Sequence, residues 1–455
     1  VVLRTSHIVP ADRAFVWQWH TQPGVSARLM PTFFPMTARS QATNLATGTT
    51  VFALPAGLRW ESRHDLSGYI EGRKFSDVCI KSPIKALANW RHVHEFFDHE
   101  SGTLITDSVH TRIPHNAIIP LLAYRQQQLI HDISSAQRFA CLGNNAAPLT
   151  IALSGSRGTI GSALRAFLSV LGHKVIVLVR KPGTKKLKSY QRHWNPINPD
   201  PDLLNDIDVL VHLAGEPIRG RFTQAHMSAL RESRITPTFK LAELVATSTR
   251  CSTMVTASAM GFYGCDKQAE LLSEESPQGE GFLAELCADW EHACQPAISA
   301  GKRVVTVRTG VVLSSSGGIL PVLKTLFSTG LGGKLTHGDS WLPWISIDDL
   351  TDIYVRAIVD KRLSGSINAC APNPIHNSTL TNELALQLDR PALFPIPDFG
   401  PKLLFGTQGA TEFALASHRA IPKKLTTLGH TFRYPQINEA LAHELGNEKL
   451  FDTTV

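Results

Sequence analysis

Residues 149–180, LTIALSGSRGTIGSALRAFLSVLGHKVIVLVR, decide the fold. They read as an apolar strand over Leu149 to Leu153, a glycine turn, an amphipathic helix over Ile160 to Leu171 and a second apolar strand over Lys174 to Val179. Gly155, Gly158 and Gly161 fall at GxxGxxG spacing across the strand-to-helix turn, with Ser156, Arg157, Thr159 and Ile160 between and beside them. In such a turn the first glycine lets the chain bend sharply. The second lets the backbone approach a pyrophosphate, and the third lets helix and strand pack closely. The helix start adds free N–H groups and the positive end of a dipole. Flanked by strands at βαβ distance, the turn points to a dinucleotide.

The end of the second strand selects among dinucleotides. A carboxylate there binds the ribose 2′-hydroxyl of NAD, whereas an arginine accommodates a 2′-phosphate. Arg180 occupies that place, followed by Lys181, and Arg157 lies inside the turn. NADP(H) is the expected cofactor.

The chain has 455 residues, 43% hydrophobic and 18% charged, so two or three globular, soluble domains are expected. No run of about 18 apolar residues predicts a membrane span. The first residues, VVLRTSHIVPADR, lack a signal peptide's apolar core. The net charge of +7 is mild and scattered, and the run Lys181 to Lys188 reads as a solvated loop, so no nucleic-acid partner is expected. Seven cysteines without a CxxC pattern fit reduced thiols in a cytoplasm. Among nineteen histidines no metal-ligand spacing stands out, and no metal is expected. His92 and His94 share one face of a strand, expected to be exposed to solvent.

Residues 1–145 read as a separate α+β unit. A strand (Leu3 to Val9) leads into a helix opened by Pro10-Ala11-Asp12 and carrying Phe15, Val16 and Trp19. Strand-like runs follow at Thr49–Leu54, Leu58–His64, Lys74–Lys81, Arg91–Asp98 and Leu104–Thr111, then a long helical stretch, Ile118–Phe139. An antiparallel sheet gripping a helix is predicted. Residues 142–148, LGNNAAP, form the linker. With PADRAFVWQWH, GLRW, FSDVCIKSPIKALANWRHVHEF and TLITDSVHTRIP, the unit resembles the START-like (SRPBCC, polyketide cyclase) superfamily. The resemblance implies a helix-grip fold around a pocket for a small apolar ligand; a filled core that serves docking is the plainer alternative.

From residue 149 strands and helices alternate, which predicts an α/β, doubly wound parallel sheet, a Rossmann fold. Asp208–His212 is a buried strand ending in Leu213-Ala214-Gly215-Glu216, and strand ends of such a sheet line the ligand crevice. Thr253–Ala257 delivers Ser258 to Gly264 to the same edge, and Arg303–Arg308 is a further strand. The cofactor domain is expected over 149–371, and 372–455 as an extension packing on it.

The segments SGSRGTIG, HLAGEPI, RESRI, ASAMGFYG, LCADWE, RTGVVLSSSGGIL, GLGGKL, PWISIDDL and LASHRAIPKKLTTLGHTFRYP resemble, in order, the extended or atypical short-chain dehydrogenase/reductase superfamily. More narrowly they are similar to its epimerase-like family, often labelled sugar-nucleotide epimerase or cell-division inhibitor. The resemblance implies cofactor contacts from the glycine turn, Arg180, Leu213 to Glu216 and Ala257, with Trp344 and Arg308 on the substrate side. It also implies a homodimer.

One departure matters. The superfamily uses a tyrosine and a lysine four residues later, the lysine lowering the phenol's pKa for proton exchange. Aligned on LAELCADWE, those positions hold Leu283 and Cys287, and neither can do that work. Ser258 falls at the superfamily's serine, and Tyr263 is the remaining proton donor. Their plainer roles are a turn hydroxyl and a packed ring. Asp348 or Asp349 is expected to cap the helix that follows. The run His337-Gly338-Asp339-Ser340-Trp341 is acidic where nucleotide-sugar enzymes place an arginine, which argues against that substrate.

Two functions follow. One is hydride transfer between NADP(H) and a small or apolar carbonyl compound, with Ser258 and Tyr263 orienting the oxygen. The other is an NADPH-binding sensor or scaffold without turnover, which the missing pair favours.

Overall fold

The computed structural model describes residues 2–144, 147–180, 186–335, 338–392, 395–397 and 399–451, apart from the side chains of residues 266 and 268. Parts of the predicted linker, of the Lys181 to Lys188 run and of the segment beginning at His337 lie outside these residues. The chain divides into two compact units, one of residues 1–145, 166–172 and 442–455, the other of residues 146–165 and 173–441.

The first unit is built on strands β1 (Val2–Val9), β2 (Thr37–Ser40), β3 (Thr49–Ala53), β4 (Arg59–His64), β5 (Lys74–Cys79), β6 (Arg91–His99) and β7 (Gly102–His110). They form one antiparallel sheet in the order β1–β7–β6–β5–β4–β3–β2. The helix Arg13–Thr21 begins where Asp12 accepts a hydrogen bond from the Phe15 N–H at 2.8 Å, satisfying one of the helix's orphan donors. The long helix His115–Leu142 buries Ile118, Leu122, Leu129 and Ile133. Its Asp132 takes a two-pronged ion pair from Arg28 at 2.8 and 2.6 Å. Period-two alternation in β6 turns His92, His94 and Phe96 inward. Both histidines are buried, at 4% and 3% exposure, so the expectation of solvent exposure is corrected.

The second unit holds β8 (Thr150–Ser154), β9 (Lys174–Val179), β10 (Gln191–His193), β11 (Val209–His212), β12 (Thr253–Ala259), β13 (Arg303–Thr309) and β14 (Gly365–Ala369). All run parallel, in the order β10–β9–β8–β11–β12–β13–β14. The direction of winding reverses between β8 and β11, and ligands of such sheets bind outside the strand ends at that switch. Apolar runs in β8, β9 and β11 are buried throughout, as both faces of the sheet are covered. Beyond the sheet, Ser417–Ala420 pairs with Asp266–Leu272, and Arg433 grips Asp352 with two bonds of 2.8 and 2.6 Å.

The cap of the helix Ile347–Val359 is Ser346, whose hydroxyl accepts from the Asp349 N–H at 3.0 Å; neither aspartate takes that place. Asp349 accepts instead from the backbone of Arg433 and Tyr434, and burial pushes its pKa up to about 6. Among the described residues no helix is long and apolar enough to cross a membrane.

Candidate functional site

The strand ends at the switch are held in register. Ser154, His212 and Thr256 are paired neighbours across β8, β11 and β12, so the segments that follow them leave the sheet from one edge. The buried Ser154 hydroxyl lies 2.7 Å from His212 Nδ1 and accepts from the N–H groups of Leu213 and Ala214 at 3.1 and 3.3 Å. One hydroxyl thus pins the end of β11 against the glycine turn.

The turn is as tight as its glycines demand. Gly155 has φ +72°, and a Cβ there would lie 2.7 Å from the Leu213 carbonyl carbon. At Gly161 a Cβ would stand 2.2 Å from the Gly155 oxygen, so the helix Thr159–Val170 starts this close to the strand only with glycine. Gly158 and Arg157 are exposed, and a Cβ at Gly158 would meet nothing closer than 3.4 Å. Arg180 is exposed, at the end of β9. Ser156 is buried, while Thr159 and Ile160 are half-buried. On the opposite side, Leu213, Ala214 and Ala257 are half-buried and Gly215 and Glu216 exposed. The residues fit a dinucleotide: an open backbone turn at a helix start, two small residues beside it, and the exposed arginines Arg157 and Arg180 in the turn and at the end of β9.

Arg234, from RESRI, completes this edge. It donates to the Glu216 carbonyl at 2.8 Å, and its guanidinium lies over the Trp290 ring at 5.1 Å. Nothing local in RESRI signals these contacts, which come from segments distant in sequence.

The proposed chemical residues have other engagements. Ser258, Arg308 and Asn368 are paired neighbours across β12, β13 and β14. Glu291, on the helix Phe282–His292, collects Ser258 Oγ at 2.7 Å, Arg308 Nε at 2.8 Å, Arg308 Nη2 at 2.9 Å and Ser366 Oγ at 2.8 Å. Tyr263 is wholly buried; its hydroxyl bonds Asn368 Oδ1 at 2.7 Å and accepts from Arg308 at 3.1 Å. Burial raises the phenol's pKa, against the pull of Arg308. Burial alone would lower the Arg308 pKa, but the Glu291 carboxylate holds it up. Arg308 also stacks on Phe262, 3.4 Å from the ring centre.

Arg308 and Trp344, expected on the substrate side, are both buried. Arg308 is locked in this network, and Trp344, 1% exposed, donates its Nε1 to the Asn373 carbonyl at 3.3 Å. Cys287 is buried and its thiol is pushed up to about 12 by burial, which leaves it inert as a nucleophile.

Residues 151–370 match the NAD dependent epimerase/dehydratase family, and residues 396–444 match a domain of unknown function, DUF1731. An epimerase family protein of Mycobacterium bovis is 40% identical over 296 residues, covering 64% of this chain and 96% of that protein. The human epimerase family protein SDR39U1 is 30% identical, covering 64% of this chain and 98% of that protein. Among solved structures, the nucleoside-diphosphate sugar epimerase from Corynebacterium glutamicum superposes with TM-score 0.88 at 54% identity, covering 99% of this chain and 91% of that one. Human SDR39U1 with NADPH superposes with TM-score 0.60 at 28% identity, covering 66% of this chain and all of that one. The glycine turn, the strand order and these matches lead to one assignment: the chain belongs to the NAD dependent epimerase/dehydratase family, with the DUF1731 segment near its C-terminal end.

Proposed function

We propose that the second unit binds NADP(H) at the Gly155–Gly161 turn, with Arg180 and Arg157 taking the 2′-phosphate. The observation that carries this reading is the pair of exposed arginines beside a turn that admits no side chain at Gly155 or Gly161. The human relative crystallised with NADPH supports it.

When bound, the cofactor supplies a hydride at its nicotinamide ring. A reductase or epimerase acting on a small or apolar carbonyl, or on a sugar nucleotide, also needs a proton donor at the substrate oxygen. Ser258 gives its proton to Glu291, and the Tyr263 hydroxyl is buried between Asn368 and Arg308. These bonds favour the second reading, an NADPH-binding sensor or scaffold, over hydride transfer through Ser258 and Tyr263.

The first unit is proposed as a START-like helix-grip domain; its antiparallel sheet, long helix and internal cavity support an apolar ligand there. All seven cysteines are free thiols, which favours a reducing, cytoplasmic compartment. The test is a fluorescence titration of the full chain with NADPH and NADH, followed by a carbonyl-reduction screen on wild type, Ser258→Ala and Tyr263→Phe. Tight NADPH binding with no turnover supports the sensor reading, and turnover lost in the variants supports catalysis. No binding of either nucleotide overturns both.

A further inference from the structure

The first unit encloses a cavity of about 240 Å³, walled in part by Phe52, Trp60 and Trp90. Ionisable groups line the same space, among them Asp77, His92, His94 and Arg125. His92 and His94, alternate residues of β6, place their ring centres 3.9 Å apart. Across from them on β7, paired with His94, stands Asp107. One of its oxygens, Oδ1, lies 2.9 Å from His92 Nε2 and 2.7 Å from His94 Nδ1.

That contact fixes both rings. A carboxylate oxygen only accepts, so each imidazole gives it an N–H, and in their neutral forms the rings carry their lone pairs on His92 Nδ1 and His94 Nε2. His94 Nε2 faces Asp77 Oδ2 at 3.9 Å, and the other Asp77 oxygen accepts from the Ser62 hydroxyl. One donor atom from each of Asp77, His92 and His94 lies within 4.8 Å of the other two. Tetrahedral bonds of about 2.1 Å set ligand atoms about 3.4 Å apart, so the three groups would draw in around an ion.

We propose that Asp77, His92 and His94 bind a divalent transition-metal ion, zinc by the chemistry of its donors, with the cavity supplying the fourth ligand. Two nitrogens and a carboxylate oxygen suit zinc, and three protein ligands leave a position open. Every ligand has the outer partner that metal sites require: Asp107 orients both imidazoles, and Ser62 orients Asp77. Arg125 has no hydrogen bond or ion pair among the described residues, and the negative charges it feels are Asp107 and Asp77. With the ion balanced by those two carboxylates, the guanidinium is left to receive an anionic fourth ligand such as a carboxylate.

The competing explanation is a proton in place of the metal, a protonated His94 bridging Asp77 and Asp107. Cobalt titration of the chelator-stripped full chain separates them. The expected result is one equivalent of Co²⁺ with the visible bands of a tetrahedral site, displaced by Zn²⁺. His92→Ala and His94→Ala should each weaken binding at least 100-fold. Ser62→Ala and Asp107→Asn, which keep the ligands, should weaken it about 10- to 100-fold. Circular dichroism of each variant confirms folding, and Ser62→Ala decides the matter if the histidine variants unfold. Absence of a stoichiometric site, or binding unmoved by Ser62→Ala and by whichever histidine variants fold, overturns the proposal.

Discussion

Ser258 Oγ donates its proton to Glu291 Oε1 at 2.7 Å, and the same oxygen accepts from Arg308 Nε at 2.8 Å. The serine that the sequence offers as a substrate contact therefore serves a buried charge. Ser258→Ala should cost about 1.5–3 kcal/mol in urea unfolding, one hydrogen bond to a charged group, and leave NADPH affinity unchanged. Glu291→Ala should cost about 3–5 kcal/mol, because Arg308 would be left buried without its carboxylate. A Ser258→Ala protein of unaltered stability would show that this bond contributes nothing to the fold.

Gly161→Ala tests the close approach of helix and strand. The added methyl would meet backbone, the Gly155 oxygen, which cannot rotate away. The helix start must shift, costing about 1–3 kcal/mol and moving the N–H groups that would face the phosphates. NADPH affinity should fall at least tenfold in the titration. Gly172→Ala is the control: its Cβ would meet nothing within 4 Å, so only the φ of +85° is strained, and affinity should hold.

Arg180→Ala should abolish discrimination between NADPH and NADH. A hydrogen bond from a charged group contributes about 1.5–3 kcal/mol, so NADPH affinity should drop roughly 10- to 150-fold while NADH affinity stays level. An equal loss for both nucleotides would place Arg180 on some other part of the cofactor.

The second unit's βαβ start was legible because its signals are local: glycines at fixed spacing between apolar runs, with β9 falling over Lys174–Val179 as read. β2, β10 and β14 were not. TARS, QRH and GSINA carry no period of their own and become strands by pairing with neighbours already in the sheet. At His92 and His94 the shared face was readable, but which face is buried was not. Phe96, two residues on, was the available signal, since it lies on that face and is 1% exposed. The partners Asp107 and Asp77 come from other strands, and only pairing brings them together. Ser258 lies near the end of β12 and Tyr263 just beyond it, yet their bonds run to Glu291 and Asn368, residues distant in sequence.

Acid should destabilise both units through buried neutral histidines. Burial lowers the pKa of His20 to about 3 in the first unit and of His212 to about 3 in the second. Among the described residues His20 has one hydrogen bond, to the Val16 carbonyl at 2.8 Å, and His212 Nε2 has none. The unfolded chain binds a proton at each near pH 6.5, whereas the folded chain does not until about pH 3. Stability is thus unaffected by these rings above pH 6.5 and is lost progressively as the pH falls from 6.5 toward the folded value near 3. Between pH 7 and pH 5 each histidine should remove about 2 kcal/mol, from 1.36 kcal/mol per pH unit below 6.5. His20→Leu should flatten the pH dependence of the first unit's unfolding free energy by about one proton over that range, with the second unit's slope unchanged. Equal slopes in wild type and His20→Leu would mean that the ring is already protonated in the folded protein, and that the Val16 bond stabilises the charged form.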